Sequence, residues 1–195
     1  MYRRIAVIQG HPDGEREHLC HSLARAYIQG AKDEDSDVRS IEVAKLDFAC
    51  LRSQEAWESE PVPRGLYEAQ EVLGWAEHWV LLFPPWLGDM PALTKAFLEQ
   101  VLRPGFAFER ATRGSPAQKL LGGKSARLVI TMGMPATLYR WYFRAHSVKS
   151  LERNILGYCG IAPIDETLVG MVEGLNDVKR AHWLAKMRML GREGR

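Results

Sequence analysis

The sequence has few cysteines, no long apolar run and no strong excess of charge of either sign. Its three cysteines, Cys20, Cys50 and Cys159, lack CxxC spacing, so we expect free thiols in a reducing compartment rather than disulfides. No apolar stretch approaches the roughly 18 residues of a membrane span. The apolar segment at residues 5–8 is too short for the core of a signal peptide. These absences predict a cytoplasmic protein.

The charge balance argues against nucleic acid or a membrane surface as a partner. The 26 basic and 24 acidic residues leave a formal net charge of +2. Basic residues collect near the end of the chain, where a solvated helix face accounts for them. A nucleic-acid surface would combine a larger charge with interleaved exposed aromatics. We expect no metal either, because His18, Cys20 and His21 do not all point to one side of a helix.

The chain alternates strands and helices, and its length suits a single domain spanning residues 1–195. Five strands, each followed by a helix, predict a parallel sheet covered on both faces. The predicted strands are residues 3–9, 38–43, 79–83, 125–131 and 164–169, and the predicted helices are residues 18–32, 66–76, 91–102, 138–158 (with a break at 145–147) and 176–190. Residues 45–63 and 105–121 are predicted to be irregular.

The best topology for these elements is a flavodoxin-like three-layer α/β sandwich. Its five-stranded parallel sheet has the order 2-1-3-4-5, and it binds its ligand at the switch between the first and third strands. The GxGxxG fingerprint of dinucleotide-binding folds is missing after the first strand, where Gly10 and Gly14 have the wrong spacing.

The most informative stretch covers residues 79–102. An apolar run at 79–83 predicts a strand buried on both faces, and it stops at Pro84 and Pro85, which cannot continue a central strand. Pro91 suits the first turn of the helix that follows. The loop at 84–90 therefore lies at the carboxyl end of a buried strand, where open α/β sheets bind ligands. Trp86 would offer a flat surface to a planar ligand; a core aromatic is the alternative.

Two further loops are predicted at the same edge of the sheet. Residues 10–20 lead into a helix N-terminus, a natural anion site, where His11 and Arg16 would add positive charge beside a phosphate. The alternative is a polar loop with an incidental arginine. In the loop after the fourth strand, Gly133 permits close approach of a ligand to the backbone. Tyr139 and His146 follow, with a purely structural tyrosine as the alternative for the first.

Together these loops resemble the flavodoxin-like NAD(P)H:quinone oxidoreductase family. That family includes the mammalian quinone reductases, the bacterial modulator of drug activity B type and the flavoprotein ancillary subunits of potassium efflux systems. The resemblance covers almost the whole chain. It is carried by FPPWLGDMPALTKAFLEQVL at 83–102, GFAF at 105–108, LLGGK at 120–124, Thr131-x-Gly133 with Tyr139, and CGI at 159–161.

The resemblance implies a site for flavin, either FMN or FAD, with a lean towards FMN. The loop at 84–90 would hold the flavin ring through backbone N–H groups, and Tyr139 and His146 would lie near its reactive edge. The implied cofactor-binding residues are His11, Arg16, His18, Leu19, Cys20, Pro84, Pro85, Trp86, Leu87, Gly88, Thr131, Met132, Gly133 and Tyr139.

The implied activity is hydride transfer from NAD(P)H through bound flavin to a quinone-like acceptor, with ping-pong kinetics. The alternative is a flavin-binding ancillary subunit of a membrane transporter with little turnover. Members of the family usually form homodimers, and Trp57, Trp141, Tyr142 and Phe143 are either interface or core aromatics. The chain departs from the family pattern at residues 18–20, where His-Leu-Cys replaces Ser-Phe-Asn, and at Leu87 and Gly88, where the family tends to have two aromatics.

Overall fold

The central strands of the main sheet follow apolar runs of the sequence. The computed structural model describes residues 3–111 and 114–195. In chain order its strands are β1 (Arg4–Gln9), β2 (Asp37–Glu42), β3 (His78–Phe83), β4 (Phe108–Glu109), β5 (Gln118–Lys119), β6 (Ser125–Thr131) and β7 (Ile164–Val169). The main sheet is parallel throughout, in the order β2-β1-β3-β6-β7. This order confirms the predicted topology.

Helices cover both faces of the main sheet. They are α1 (Leu19–Lys32), α2 (Gln54–Ser59), α3 (Tyr67–Trp75), α4 (Ala92–Val101), α5 (Ala136–Trp141), α6 (His146–Ser150), α7 (Gly157–Cys159) and α8 (Asp177–Glu193). A π-helical segment, Leu151–Leu156, joins α6 to α7. Helices α1 and α8 bury one face of the sheet, and α3, α4 and the α6–α7 segment bury the other.

Strand β3 is the centre of the fold, since all six of its residues are buried. Its register with β1 pairs Gln9 with Leu82, so both strands end at the same edge of the sheet. Just beyond that edge, the Gly10 N–H donates to the Leu82 carbonyl oxygen at 2.7 Å, and the Thr94 hydroxyl donates to the Gly10 carbonyl oxygen at 2.6 Å. The first residue of the loop after β1 is thereby anchored to β3 and to α4.

The two segments predicted to be irregular contain short elements. Helix α2 lies within the first, and the guanidinium of Arg103 secures it by donating to the carbonyl oxygens of Ala56 and Glu60 at 2.8 and 2.6 Å. Strands β4 and β5 form a separate antiparallel pair within the second. Among the described residues, no helix is long and apolar enough to cross a membrane.

Candidate functional site

A cavity of about 270 Å³ lies at the carboxyl ends of the parallel strands. It is formed by the loops that follow β1, β3, β6 and β7. Its lining consists of His11, His18, Leu19, Cys20, Pro84, Pro85, Trp86, Thr131, Met132, Gly133, Val172 and Glu173. The cavity therefore occupies the topological switch point between β1 and β3, where sheets of this order bind ligands.

One end of the cavity is the amino terminus of α1. The first amides of this helix, those of Leu19 and Cys20, donate to no acceptor in the described residues. Unpaired amides and the helix dipole together favour an anion. Helix α1 begins here because His18 is in the extended conformation, and the His18 amide donates to Nδ1 of His21 at 3.0 Å.

The floor beneath this end is polar and buried. The Cys20 sulfur lies 2.9 Å from the Thr131 hydroxyl, and burial raises the pKa of the Cys20 thiol to about 12. Cys20 is thus a protonated hydrogen-bonding group at neutral pH rather than a thiolate nucleophile. On β1, the side-chain carbonyl oxygen of Gln9 accepts from the His11 N–H, and the buried Nε2 of Gln9 has no partner in the described residues.

The other end of the cavity is walled by Pro84, Pro85 and Trp86. Trp86 is 54% exposed, so it belongs to the surface of the loop and not to the core. Its backbone exchanges hydrogen bonds with that of Asp89 across the intervening Leu87 and Gly88. Both intervening residues have positive φ angles, 52° and 85°, as in the mirror-image turns of hairpins. A left-handed conformation costs a leucine about 1–2 kcal/mol.

This strained turn leaves two backbone donors without an acceptor. In the part of the chain that the structure describes, the amides of Leu87 and Gly88 donate to no acceptor. Neither residue lines the cavity, and the Leu87 side chain is fully exposed. The turn therefore forms a rim beside the cavity. Its two free amides and its apolar side chain are available to a ligand that extends beyond the cavity, or to a partner.

The remaining predicted residues lie apart from the cavity lining. Arg16 is exposed in the first loop, where its backbone amide donates to Asp13. Tyr139 is buried, with its hydroxyl oxygen 2.5 Å from that of Ser147. His146 is exposed. The geometry thus pairs Tyr139 with Ser147 and does not bring His146 to Tyr139.

Sequence reasoning missed Val172 and Glu173, which close the cavity from the loop after β7. The side chain of Glu173 faces Gly133, because a Cβ added to that glycine would lie 3.5 Å from the glutamate oxygen. A signal for this fourth loop existed, since β7 is parallel to its neighbours and must end at the same edge of the sheet. Among the described residues, no group of three or more His, Cys, Asp or Glu could hold a metal ion.

A larger apolar groove of about 450 Å³ lies along α4. Trp57, Phe108 and Tyr158 contribute aromatic rings to it, and Lys95 and Glu99 contribute an ion pair. We assign the ligand site to the smaller cavity, because it alone of the two combines the switch point of the sheet with a helix N-terminus.

The residues of the smaller cavity fit a flavin. The α1 end offers free amides and imidazole rings to a phosphate, and Pro84, Pro85, Trp86 and Gly133 line the part of the cavity that a flat ring would occupy. Its volume of about 270 Å³ is just below the roughly 300 Å³ at which the range of small-molecule sites begins.

Comparisons with known proteins decide the family. The profile of the Flavodoxin_2 family, described as a flavodoxin-like fold, matches residues 3–189. The chain belongs to this family. Its membership and the observed strand order confirm the fold predicted from the sequence, and they confirm the resemblance to flavodoxin-like oxidoreductases at the level of the family.

Relatives of this flavodoxin-like chain carry redox names. A protein of Haemophilus influenzae named as an uncharacterized NAD(P)H oxidoreductase is 24% identical, with 89% of this chain and 87% of that protein covered. An FMN-dependent NADH:quinone oxidoreductase of Macrococcus caseolyticus is also 24% identical, with 90% and 89% covered. The solved NAD(P)H:quinone oxidoreductase from Methanothermobacter marburgensis superposes with a TM-score of 0.81 at 20% identity, covering 100% of both chains.

Proposed function

We propose that this flavodoxin-like chain is an FMN-dependent oxidoreductase that passes hydride from NAD(P)H to a quinone-like acceptor. One observation carries the proposal: the cavity between β1 and β3 joins a helix N-terminus at one end to a proline- and tryptophan-walled space at the other. That arrangement matches the phosphate and the ring of a flavin mononucleotide. The names of the two curated relatives support the same chemistry, and FAD has no comparable support.

The proposed roles of the residues follow from their places around the cavity. The amides of Leu19 and Cys20, with His11 and His18, would hold the phosphate, whereas Pro84, Pro85, Trp86, Met132 and Gly133 would enclose the ring. Bound flavin supplies a ring that accepts hydride from one substrate and returns it to another. The free amides at Leu87 and Gly88 would stabilise negative charge nearby, as preorganised donors do in oxyanion holes.

We further propose that NAD(P)H and the acceptor use the same open side of the cavity in turn, which gives ping-pong kinetics. The 54% exposed Trp86 and the fully exposed Leu87 lie at this opening. They would provide the apolar surface on which a planar substrate stacks. In this arrangement the buried Tyr139 would act on the site from outside the cavity lining. His146, which is exposed, would contribute only if a substrate or a second subunit reached it.

A homodimer is also part of the proposal. Trp141 and Tyr142 are 80% and 76% exposed, so they are not core residues. For these two aromatics the interface interpretation remains. Trp57 is half-buried and packs against Phe108 beside the α4 groove. Size-exclusion chromatography with light scattering tests this: the wild type should elute as a dimer and Trp141→Ser should shift it towards monomer. A monomeric wild type would contradict the proposal.

Residues 1–195 would act as a single domain in a cytoplasmic protein, in keeping with three unpaired cysteines. We do not extend the proposal to an ancillary transporter subunit, because none of the reported relatives carries such a name.

The decisive experiment is the absorbance spectrum of the purified protein, followed by mass spectrometry of what heating releases. A yellow protein that releases FMN and oxidises NAD(P)H in the presence of a quinone is the expected result. A colourless protein that binds no added flavin would contradict the proposal. Gly133→Leu places a side chain in the cavity and should weaken FMN binding at least tenfold, whereas Gly122→Leu, in open space, should leave it unchanged.

A further inference from the structure

The loop after β7 brings a carboxylate to the wall of the cavity. Glu173 lines the cavity beside Val172, and its carboxylate oxygen would lie 3.5 Å from a Cβ added to Gly133. In the proposed function, Gly133 is one of the residues that enclose the flavin ring. The Glu173 carboxylate therefore faces the part of the cavity that the ring would occupy.

This carboxylate is the one acidic group among the described residues that line the cavity, and neither a lysine nor an arginine is found with it there. Two carboxylates in the neighbouring loops have partners, since Asp13 lies 2.8 Å from Nε2 of His18 and Asp89 accepts from the Met90 N–H at 2.7 Å. In the part of the chain that the structure describes, Glu173 has neither a hydrogen bond nor an ion pair. Its charge is thus free to act on a ligand.

Backbone contacts fix the place of this side chain. The Met171 N–H donates to the Met134 carbonyl oxygen, and the Val172 N–H donates to the Met132 carbonyl oxygen, both at 3.1 Å. Met171 is left-handed, with a φ angle of 57°, which a residue with a Cβ rarely adopts. A Cβ at Gly170 would lie only 2.5 Å from a backbone nitrogen at the start of α5. The loop after β7 is therefore tied closely to the loop after β6.

A fixed charge at this position bears on the redox reaction. Hydride consists of two electrons and one proton, so its transfer from NAD(P)H adds one negative charge at the ring, and NAD(P)+ takes up the matching positive charge. A nearby carboxylate opposes the added charge, because like charges repel over several ångströms at a protein surface. Glu173 is exposed, so solvent screens part of this repulsion and the effect is moderate.

We propose that Glu173 lowers the reduction potential of bound FMN and so makes the reduced protein a stronger hydride donor to its acceptor. It would act against the free amides of Leu87 and Gly88, which stabilise the same negative charge. A quinone-like acceptor takes the hydride together with one proton from water, which completes the balance of the reaction. This inference deepens the proposed function and rests on it, because the charge it concerns is that of the flavin ring.

The test is the midpoint potential of the FMN-loaded wild type and of Glu173→Gln, measured at one neutral pH against redox dyes. Glutamine keeps the size of the side chain and removes its charge. At a given potential the variant should favour the reduced form by up to about tenfold, which raises the midpoint by about 30 mV for a two-electron couple. The difference should shrink in high salt, because mobile ions screen an exposed charge.

Two further variants and a second flavin show whether the charge is responsible. Glu173→Asp keeps the carboxylate, so its potential should stay closer to that of the wild type. Glu34→Gln is the matched control, because Glu34 is exposed in the turn before β2, at the opposite edge of the parallel sheet; its potential should be unchanged. With riboflavin in place of FMN, Glu173→Gln should show the same shift, because the carboxylate acts on the ring and not on the phosphate.

The two half-reactions provide an independent readout by stopped-flow mixing. Glu173→Gln should be reduced faster by NAD(P)H and reoxidised more slowly by a quinone than the wild type is. A change that only disturbed the loop would slow both half-reactions. Opposite changes in the two rates therefore distinguish the effect of charge from a structural one.

Each result has a separate meaning. If Glu173→Gln binds FMN with the wild-type potential, or with a lower one, the inference is overturned and the proposed function stands. A shift of equal size in Glu34→Gln would also overturn it, because the effect would then not depend on the position of the charge. If the wild type binds no flavin, the proposed function fails and this inference fails with it.

Discussion

The hydroxyl oxygens of Tyr139 and Ser147 lie 2.5 Å apart in a buried pair. On an unbroken helix the residue seven positions after Tyr139 would share its face, and that residue is His146. Arg144 and Ala145 break the helix, since both are left-handed with φ angles of 53° and 49°. The break places Ser147 inward against the tyrosine and leaves His146 exposed.

Ser147→Ala should therefore destabilise the fold, because it leaves the buried Tyr139 hydroxyl without its hydrogen-bond partner. We expect a loss of about 1–3 kcal/mol in the free energy of unfolding, measured by urea denaturation. The double variant Ser147→Ala with Tyr139→Phe should recover part of that loss. His146→Ala is the control and should change stability by less than about 0.5 kcal/mol. An equal cost at His146 would show that the pairing is wrong.

Tyr139→Phe also tests the catalytic role proposed for the tyrosine. If its hydroxyl stabilises charge at the ring, the variant should retain FMN and reduce it more slowly than the wild type in stopped-flow mixing with NAD(P)H. His146→Asn serves as the comparison, since its ring is exposed and its loss should leave the rate of reduction unchanged. A wild-type rate in Tyr139→Phe would remove the tyrosine from the mechanism.

Stability should fall in acid because of His78 on β3, which is only 2% exposed. Burial first, and then Arg3 and Arg127, lower the pKa of His78 from 6.5 to about 3. The unfolded state therefore binds a proton that the folded state refuses between these values. The free energy of unfolding should decrease as the pH drops from 6.5 towards 3, by up to about 1.4 kcal/mol per pH unit.

Urea denaturation at several pH values between 7 and 4 measures this slope. His78→Gln should have a shallower slope than the wild type, whatever its stability at pH 7, because it has no proton to gain. His182→Gln, with an exposed ring on α8, should keep the wild-type slope. Identical slopes for His78→Gln and wild type would rule His78 out as the source of acid sensitivity.

Gly191→Ala should separate two helices that touch through their backbones. A Cβ at Gly191 of α8 would lie 2.1 Å from the carbonyl oxygen of Tyr27, and one at Gly30 of α1 would lie 1.9 Å from that of Arg188. Overpacking of this kind costs about 1–3 kcal/mol, which outweighs the gain of about 1 kcal/mol in helix propensity. Thermal denaturation should show a lower Tm.

The matched control for this change is Gly122→Ala, because a Cβ there meets nothing within 4 Å. Its Tm should stay at the wild-type value. A Gly191→Ala protein as stable as Gly122→Ala would mean that α1 and α8 can move apart without loss.

The thiols should differ sharply in reactivity. Cys50 is exposed, whereas Cys20 and Cys159 are buried and burial raises their pKa values to about 12 and 11. Maleimide at neutral pH should add one label to the folded protein and three labels after denaturation, counted by mass spectrometry. Cys50→Ser should remain unlabelled while folded. Labelling of folded Cys50→Ser at the wild-type rate would contradict the burial of the other two thiols.

The elements that sequence patterns predicted well are those whose signal is local. Strands β6 and β7 have the predicted bounds, Ser125–Thr131 and Ile164–Val169. Helix α2 has no buried residue of its own and depends on Arg103, more than 40 positions later in the chain. Such a long-range anchor leaves no pattern in the segment that it holds.

The same distinction applies to the site. The cavity could be predicted because consecutive parallel strands bring the loops after β1, β3 and β6 to one edge. The partner of Tyr139 could not, because the change of face depends on left-handed Arg144 and Ala145, neither of which is the glycine that usually marks this conformation. The close contact between the rings of His11, His18 and His21, whose centroids lie 3.9 to 5.7 Å apart, was equally hidden, since it joins the loop after β1 to the start of α1.

Among the residues that the structure describes, neither a lysine nor an arginine lines the cavity. An anion held there depends on short-range contacts with amides and imidazoles inside a recess, where mobile ions screen charge much less than at an open surface. Retention of the ligand should therefore be largely insensitive to ionic strength, and the loaded protein should pass through a high-salt column with its colour intact.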